Sequence, residues 1–215
     1  MENLNELSKQ VKTKDNLGKI SPEMALNLLK DGNKRFIKNE MIEREHKKHI
    51  QETIDGQHPF AIVLSCIDSR VEPSILFDQG IGDLFVARIA GNIVNQDILG
   101  SMEYACAVSG SKLVLVLGHT SCGAVKGAID NVVLDNLSPS LRYIQLAMER
   151  VETDENCDHS AKSLKFVDKV AHKNVELSIN DVRNQSPILR KLEEEGKIII
   201  AGAIYDHSTG EVQFL

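Results

Sequence analysis

Two groups of chemically active side chains each follow an apolar run of the sequence. Cys66, Asp68 and Arg70 follow one run, and His119 and Cys122 follow another. Residues two apart in extended chain project to the same side, so Cys66, Asp68 and Arg70 can face one point. Cys and His are ligands that Zn²⁺ favours, and three protein ligands with a fourth position open to water form the pattern of a catalytic zinc site. The two groups together therefore predict a metal site.

The same residues also have plainer interpretations. Cys66 and Cys122 would suit buried core thiols, and His119 would suit a hydrogen-bonded histidine at a strand end. The presence of both groups after apolar runs, one with an acid and an arginine attached, favours the metal site. A structural zinc site usually uses Cys-x-x-Cys pairs, which the sequence lacks. A nucleophile-elbow hydrolase is disfavoured because Thr120 and Ala124 stand where that motif needs glycine.

The elements that must position these groups alternate between strand and helix. Apolar runs typical of strands buried on both faces cover 60–65, 84–88, 112–117 and 197–203, and helical patterns cover 98–108, 123–130, 138–151 and 164–182. This alternation predicts an α/β fold with a central, mostly parallel sheet flanked by helices, to which 211–214 adds an antiparallel edge. In such a sheet the ligand crevice lies at the carboxyl ends of the strands, at the switch point of the topology.

The N-terminal quarter has a different character. Residues 1–20 are polar and predict a loosely ordered segment or a short helix, and Ser21-Pro22-Glu23 predicts a helix start. The charged stretch 40–55 is interpreted as a solvated helix or an arm that lies on a partner. We therefore expect a single domain over 1–215, with a helical N-terminal arm over 1–55 and a zinc-binding α/β core over 56–215.

Composition excludes several classes of protein. The 215 residues carry a net charge of −6 and 4% aromatic residues with no Trp, which argues against a nucleic-acid binder. Apolar runs fall far short of the ~20 residues that span a bilayer, so no membrane segment and a cytoplasmic location are expected. Four cysteines are too few for a disulfide scaffold. Cys106 is interpreted as a core residue and Cys157 as an exposed thiol.

Several longer motifs closely resemble the β-class carbonic anhydrases. They are Cys66-Ile67-Asp68-Ser69-Arg70, Phe77-Asp78-Gln79-Gly80, Gly82-Asp83-Leu84-Phe85-Val86-Ala87-Arg88, Ala90-Gly91-Asn92 and Gly118-His119-Thr120-Ser121-Cys122-Gly123. The resemblance implies reversible hydration of CO₂ to bicarbonate and a proton by attack of zinc-bound hydroxide. It implies that Cys66, His119 and Cys122 hold the zinc. It also implies that Asp68 either binds the zinc as a fourth ligand or pairs with Arg70.

The resemblance extends to the substrate pocket and to assembly. It implies that Gln57 donates a hydrogen bond to bound substrate, and that Phe85 and Tyr104 line a small apolar pocket, partly across a subunit boundary. A homodimer or homotetramer is therefore expected. Val63 stands where one subgroup of the family has a tryptophan that, with an arginine matching Arg88, forms an inhibitory bicarbonate pocket, so that pocket is not expected here.

Two rival functions stay open at this stage. A related zinc hydrolase acting on a CO₂ analogue such as CS₂ would share every ligand. A catalytically silent binding or regulatory protein would be expected to lose Asp68, Arg70 or a ligand, and all are present. The sequence selects no proton carrier among its candidate histidines, which are His46, His49, His58, His159, His172 and His207.

Charge counting predicts the pH dependence of the implied reaction. Two thiolates cancel the formal charge of Zn²⁺, so water held by such a zinc is harder to deprotonate than the pKa of about 7 of a three-histidine site. We expect the hydration rate to rise from mildly acidic to alkaline pH, measured by stopped flow in buffers of equal ionic strength. A flat profile over that range would contradict the two-thiolate ligand set.

Overall fold

The computed structural model describes residues 4–153 and 157–215, with backbone only for residues 4 and 5. Its strands form one five-stranded sheet in the order β2-β1-β3-β4-β5. The first four strands in that order are mutually parallel, and β5 pairs antiparallel with β4. The strand bounds are β1 Ala61–Ser65, β2 Leu84–Arg88, β3 Leu113–His119, β4 Ile199–Tyr205 and β5 Val212–Phe214. The predicted α/β architecture, including the antiparallel edge, is confirmed.

The helices cover both faces of this sheet. Their bounds are α1 Leu4–Lys9, α2 Lys14–Leu17, α3 Pro22–Ile37, α4 His46–Glu52, α5 Pro73–Leu76, α6 Gln96–Glu103, α7 Gly123–Ile129, α8 Ser138–Met148, α9 Leu164–Gln185 and α10 Pro187–Glu194. A 3₁₀ turn covers Ala90–Asn92, and a π-helical segment, Tyr104–Val108, continues α6. Ser21 caps α3 as predicted, since its hydroxyl accepts a hydrogen bond from the Met24 amide at 3.2 Å.

The three central strands, β1, β3 and β4, are largely apolar because both faces of the sheet are covered there. Alternate residues of β3 enter different clusters: Leu113, Leu115 and Leu117 pack with α3, whereas Val114 and Val116 pack with α6 and α9. Successive side chains of β3 therefore enter opposite cores, so this strand has no polar face and its sequence shows no alternation of polar and apolar residues.

The N-terminal segment packs on the sheet of its own chain. Leu7, Leu17 and Ile20 are buried and belong to the core cluster of α3. Lys12 forms a buried ion pair with Asp83, at 3.1 Å between Nζ and Oδ1. Of the two alternatives predicted for residues 1–20, the described part contains short helices, α1 and α2. No helix of the described chain is long and apolar enough to cross a membrane.

The topology brings the two reactive groups together. The strand β1 pairs with β2 on one side and with β3 on the other, so the direction of winding reverses between β1 and β3. Ser65 at the end of β1 lies opposite Leu117 of β3. Cys66 and His119 thus leave neighbouring strands at the same edge of the sheet, at the switch point.

Candidate metal centre

The centre of the site is a cluster of three buried ligand side chains. Cys66, His119 and Cys122 each offer one ligand atom, and these atoms all lie within 4.8 Å of one another. The three residues are 4%, 0% and 1% exposed. The cluster predicted from residue type and spacing is thus brought together by the carboxyl ends of β1 and β3. Cys106 and the half-buried Cys157 do not belong to it.

The hydrogen bonding of His119 leaves one ring nitrogen open. Its Nδ1 lies 3.0 Å from the carbonyl oxygen of Thr120. A carbonyl can only accept, so Nδ1 carries the proton and Nε2 keeps its lone pair. Nε2 is buried and has no hydrogen-bond partner among the described residues. An orphaned buried acceptor beside two thiols fits a metal ligand.

The two cysteines affect each other's pKa. Hydrogen bonding from the Cys122 thiol lowers the pKa of Cys66, and the Gly91 amide, which donates to the Cys66 sulfur at 3.3 Å, acts in the same direction. The neighbouring Cys66 in turn raises the pKa of Cys122, and burial acts in the same direction. The pair therefore resists carrying two negative charges by itself, and a cation that binds both sulfurs must displace a proton.

Gly91 can approach Cys66 only because it is glycine. Its φ of 72° lies in the left-handed region, and a Cβ built on it would lie 2.4 Å from Cδ1 of Ile144. The glycine of the Ala90-Gly91-Asn92 motif thus directs its amide at a candidate ligand sulfur.

Asp68 is tied to Arg70 beside the cluster. Nε and Nη2 of Arg70 donate to the two carboxylate oxygens at 3.0 and 2.8 Å, and the Arg70 amide adds a third hydrogen bond at 3.0 Å. These bonds, led by the guanidinium, hold the pKa of Asp68 well below its usual range. Of the two arrangements that the sequence left open, the structure contains the Asp68–Arg70 pair.

Arg88 clamps the segment that carries Cys66 and Asp68. Its guanidinium donates to the carbonyl oxygens of Cys66 at 3.1 Å and Asp68 at 2.7 Å, and it pairs with Glu72 at 3.2 Å. The arginine that one subgroup uses in a bicarbonate pocket is therefore engaged here with its own chain, and Val63 is fully buried.

The turn from His119 to Cys122 is held by residues from distant parts of the chain. Ser121 has a φ of 55°, and its amide donates at 2.9 Å to Oδ1 of Asp168, 47 residues later on α9. The Thr120 amide donates at 2.9 Å to the carbonyl of Tyr205 at the end of β4. Sequence reasoning missed Asp168, because a lone Asp in a helix carries no motif.

His207 is a further residue that the fold brings to the site. Its backbone amide donates to Oγ1 of Thr120 at 3.1 Å, and its Nδ1 donates to the Thr120 carbonyl at 2.9 Å. Its ring lies edge-on to that of His119, with centroids 4.9 Å apart. Nε2 is buried, without a hydrogen-bond partner among the described residues, 3.9 Å from Oδ1 of Asp68. Burial, aided by His119, lowers the pKa of His207.

The three predicted pocket residues lie outside the turns that carry the candidate ligands; they are Gln57, Phe85 and Tyr104. Gln57 is exposed and precedes the amino end of β1, whereas Cys66 follows its carboxyl end. Phe85 pairs with Ile62, four residues before Cys66, which is roughly 13 Å along a strand. Phe85 and Tyr104 pack edge to face, with ring centroids 6.1 Å apart, in a surface groove of about 620 Å³. Their proposed pocket role stays a prediction.

A buried Cys-His-Cys cluster at the switch point of a parallel sheet, with an Asp–Arg pair beside it, is typical of an α/β metalloenzyme. The family model described as carbonic anhydrase matches residues 61–212. The chain belongs to this family and is a carbonic anhydrase of the β class.

Similar proteins come from bacteria, fungi and an alga. A carbonic anhydrase of Mycolicibacterium smegmatis is 34% identical over 90% of this chain and 93% of its own length. Carbonic anhydrase 2 of Mycobacterium tuberculosis is 33% identical over 88% of this chain and 91% of its own. The β-carbonic anhydrase structure of Aspergillus fumigatus has a TM-score of 0.70 at 27% identity, covering 80% of this chain and 82% of that one. A Coccomyxa β-carbonic anhydrase gives 0.69 at 25%, covering 79% and 77%.

Proposed function

We propose that this enzyme catalyses the reversible hydration of CO₂ to bicarbonate and a proton, with Zn²⁺ held by Cys66, His119 and Cys122. The observation that carries the proposal is the unpartnered, buried Nε2 of His119, within 4.8 Å of the ligand atoms of both cysteines. Two thiols and an imidazole are a donor set that suits zinc. A zinc ion bound there supplies a Lewis acid that lowers the pKa of water and so provides a nucleophile for CO₂ near neutral pH.

Asp68 orients the attacking oxygen in this proposal. A carboxylate can only accept hydrogen bonds, and two of its three bonds from Arg70 come from the side chain, which fixes the carboxylate plane. Asp68 accepts a hydrogen bond from the nucleophile and so turns its lone pair toward CO₂. To become a fourth metal ligand, Asp68 would have to give up its bidentate pairing with Arg70. Arg70 therefore keeps the fourth position accessible to water.

Because its pKa is lowered, Asp68 does not titrate in the pH range where the hydration rate is expected to rise. A carboxyl group whose folded pKa lies below its ordinary value is ionised at every pH above that ordinary value, about 4. Asp68 is therefore already ionised where hydration rates are measured. Asp68 is therefore not the group whose titration produces the predicted rise in rate toward alkaline pH.

Metal content and substrate choice test this function directly. We expect about one zinc per chain by elemental analysis, and stopped-flow CO₂ hydration well above the uncatalysed rate. CS₂ hydrolysis is assayed in parallel, because an enzyme for that analogue would have the same ligands. Protein free of zinc, or active on CS₂ and inactive on CO₂, would overturn the proposal.

We also propose that the active site is completed by a second copy of the chain. Gln57 lies before the amino end of β1 and Phe85 lies opposite Ile62, whereas Cys66 follows the carboxyl end of β1. Tyr104 is 51% exposed and packs on Phe85 of β2, the strand at the free edge of the sheet. A mostly apolar edge strand beside an exposed tyrosine suits a subunit interface. Solved relatives from Sordaria macrospora are described as tetrameric. We expect a homodimer or homotetramer, and a light-scattering mass measurement that found only monomer at micromolar concentration would contradict this. The cytoplasmic location stays a prediction from the sequence.

A further inference from the structure

The helix α9 lies close to both ligand segments, the one that carries Cys66 and the turn from His119 to Cys122. Gly118 of β3 approaches this helix so closely that a Cβ built on it would lie 2.6 Å from Cγ2 of Val175. Both candidate cysteine ligands belong to a core cluster that buried residues of α9 also enter. The helix is therefore near enough to hydrogen-bond to the backbone around each segment.

Asn174 of α9 supports the segment that carries Cys66. It is 3% exposed, and its Nδ2 donates at 2.8 Å to the carbonyl oxygen of Gly91. The amide of the same glycine donates at 3.3 Å to the Cys66 sulfur. Because hydrogen bonds hold both the carbonyl and the amide of Gly91, its left-handed conformation is fixed. Asn174 thus directs an N–H group at the sulfur without touching the sulfur itself.

Asp168 of α9 supports the other segment. Ser121 lies between His119 and Cys122, and its φ of 55° is unfavourable for a residue that has a Cβ. Oδ1 of Asp168 accepts a hydrogen bond from the Ser121 amide at 2.9 Å. This bond compensates for the unfavourable backbone conformation and holds the turn that carries two of the three candidate ligands.

We propose that Asp168 and Asn174 are positioning residues of the metal centre, through which α9 holds the two ligand segments in place relative to each other. The inference rests on the proposed zinc site. The two residues are six apart on one helix, or about 9 Å along its axis. Because one rigid helix holds both segments, the ligand atoms are together before a cation arrives. Less conformational freedom is then lost on binding, which increases the affinity.

Leucine variants remove these hydrogen bonds with little change in side-chain size. Leucine branches at Cγ like aspartate and asparagine but has no polar atom, so Asp168→Leu and Asn174→Leu each remove one hydrogen bond. Asp168→Asn removes the charge but keeps an oxygen that can accept from the Ser121 amide. Asp181→Leu is the matched control, because Asp181 is a half-buried aspartate of α9 whose side chain has no hydrogen bond or ion pair among the described residues.

Zinc affinity, measured by competition with a chelator, tests the role of both residues. We expect Asp168→Leu and Asn174→Leu each to weaken zinc binding about 10–100-fold, the usual cost of removing a residue that supports a metal ligand. Asp168→Asn should bind zinc nearly as well as wild type, and Asp181→Leu should match wild type. Circular dichroism of the metal-free proteins checks that each variant folds.

A spectroscopic measurement separates positioning from a general loss of stability. In the cobalt(II)-substituted protein, charge transfer from sulfur to metal gives an absorption band. A hydrogen bond to a thiolate lowers the energy of the sulfur lone pairs, so loss of the Gly91 hydrogen bond should shift this band to longer wavelength. We expect that shift in Asn174→Leu and none in Asp181→Leu.

Three results would overturn the inference. The first is wild-type zinc affinity in Asp168→Leu or in Asn174→Leu, because α9 would then not hold both segments. The second is an equal loss of affinity in Asp168→Leu and Asp168→Asn, because charge and not the hydrogen bond would then be responsible. The third is weaker binding in Asn174→Leu with an unshifted band, which would make Asn174 a purely structural residue. If Asn174→Leu does not fold, the two Asp168 variants decide the outcome.

Failure of the proposed function would give a different result. Wild-type protein that binds no zinc would overturn the proposed function together with this inference. Zinc binding and CO₂ hydration in wild type, with unchanged affinity in the leucine variants, would overturn only the role of α9.

Discussion

Replacing Cys66 with alanine is expected to remove the bound metal and to reduce CO₂ hydration to the uncatalysed rate. Cys66 is the one candidate ligand of the cluster that comes from β1, and its loss leaves only His119 and Cys122 on the same turn. Changes to residues that merely support a metal ligand cost about 10–100-fold in affinity, so loss of a ligand should cost more than 100-fold. Chelator competition measures the affinity, and stopped flow measures the rate.

Cys106→Ala is the matched control for that substitution. Cys106 is also buried, and burial raises the pKa of its thiol to about 12, but it lies in the π-helical segment away from the cluster. Its replacement should leave zinc content and rate at wild-type values. Circular dichroism of both variants checks that the fold is retained. If Cys66→Ala kept wild-type zinc and activity, the proposed ligand set would be wrong.

The second large effect is on stability. Replacing Lys12 with methionine is expected to lower the free energy of unfolding by about 3–5 kcal/mol. The side chains of Lys12 and Asp83 are 0% and 1% exposed, and Nζ also donates at 2.8 Å to the carbonyls of Leu7 and Gln10. Methionine fills a similar volume but leaves the Asp83 carboxylate buried without its counter-charge. The Gly80 amide donates a hydrogen bond to Oδ2 of Asp83 at 2.7 Å, but one hydrogen bond does not replace the lost positive charge.

Urea denaturation monitored by circular dichroism tests this prediction. Lys9→Met is the control, because the Lys9–Glu6 pair is 50% and 61% exposed and such pairs contribute little, within about 0.5 kcal/mol. Adding Asp83→Asn to Lys12→Met should restore part of the loss, since the remaining buried group is then neutral. A loss below about 1 kcal/mol in Lys12→Met would mean that the N-terminal segment does not depend on this ion pair.

The fold could be predicted because the sequence patterns that indicate strands and helices each lie within one short segment of the chain. The central strands are apolar runs, since residues such as Leu115 and Val116 pack into cores on opposite faces of the sheet. The expected end of the third strand was less accurate: β3 continues through Gly118 to His119. Polar residues at a strand's end break the apolar pattern although the backbone stays paired, here with β4 up to Tyr205.

The sequence by itself determined the α/β class and the types of ligand, because both depend on residues close together in the chain. Only the tertiary structure decided which side chains support the ligand segments. Arg88, Asp168 and His207 reach the ligand segments from 20 to 87 residues away. The structure also separates Phe85 from the candidate metal centre of its own chain, because strand register places Phe85 opposite Ile62, four residues before Cys66. Such contacts depend on how strands and helices pack against one another, and the spacing of residues within one segment does not indicate that packing.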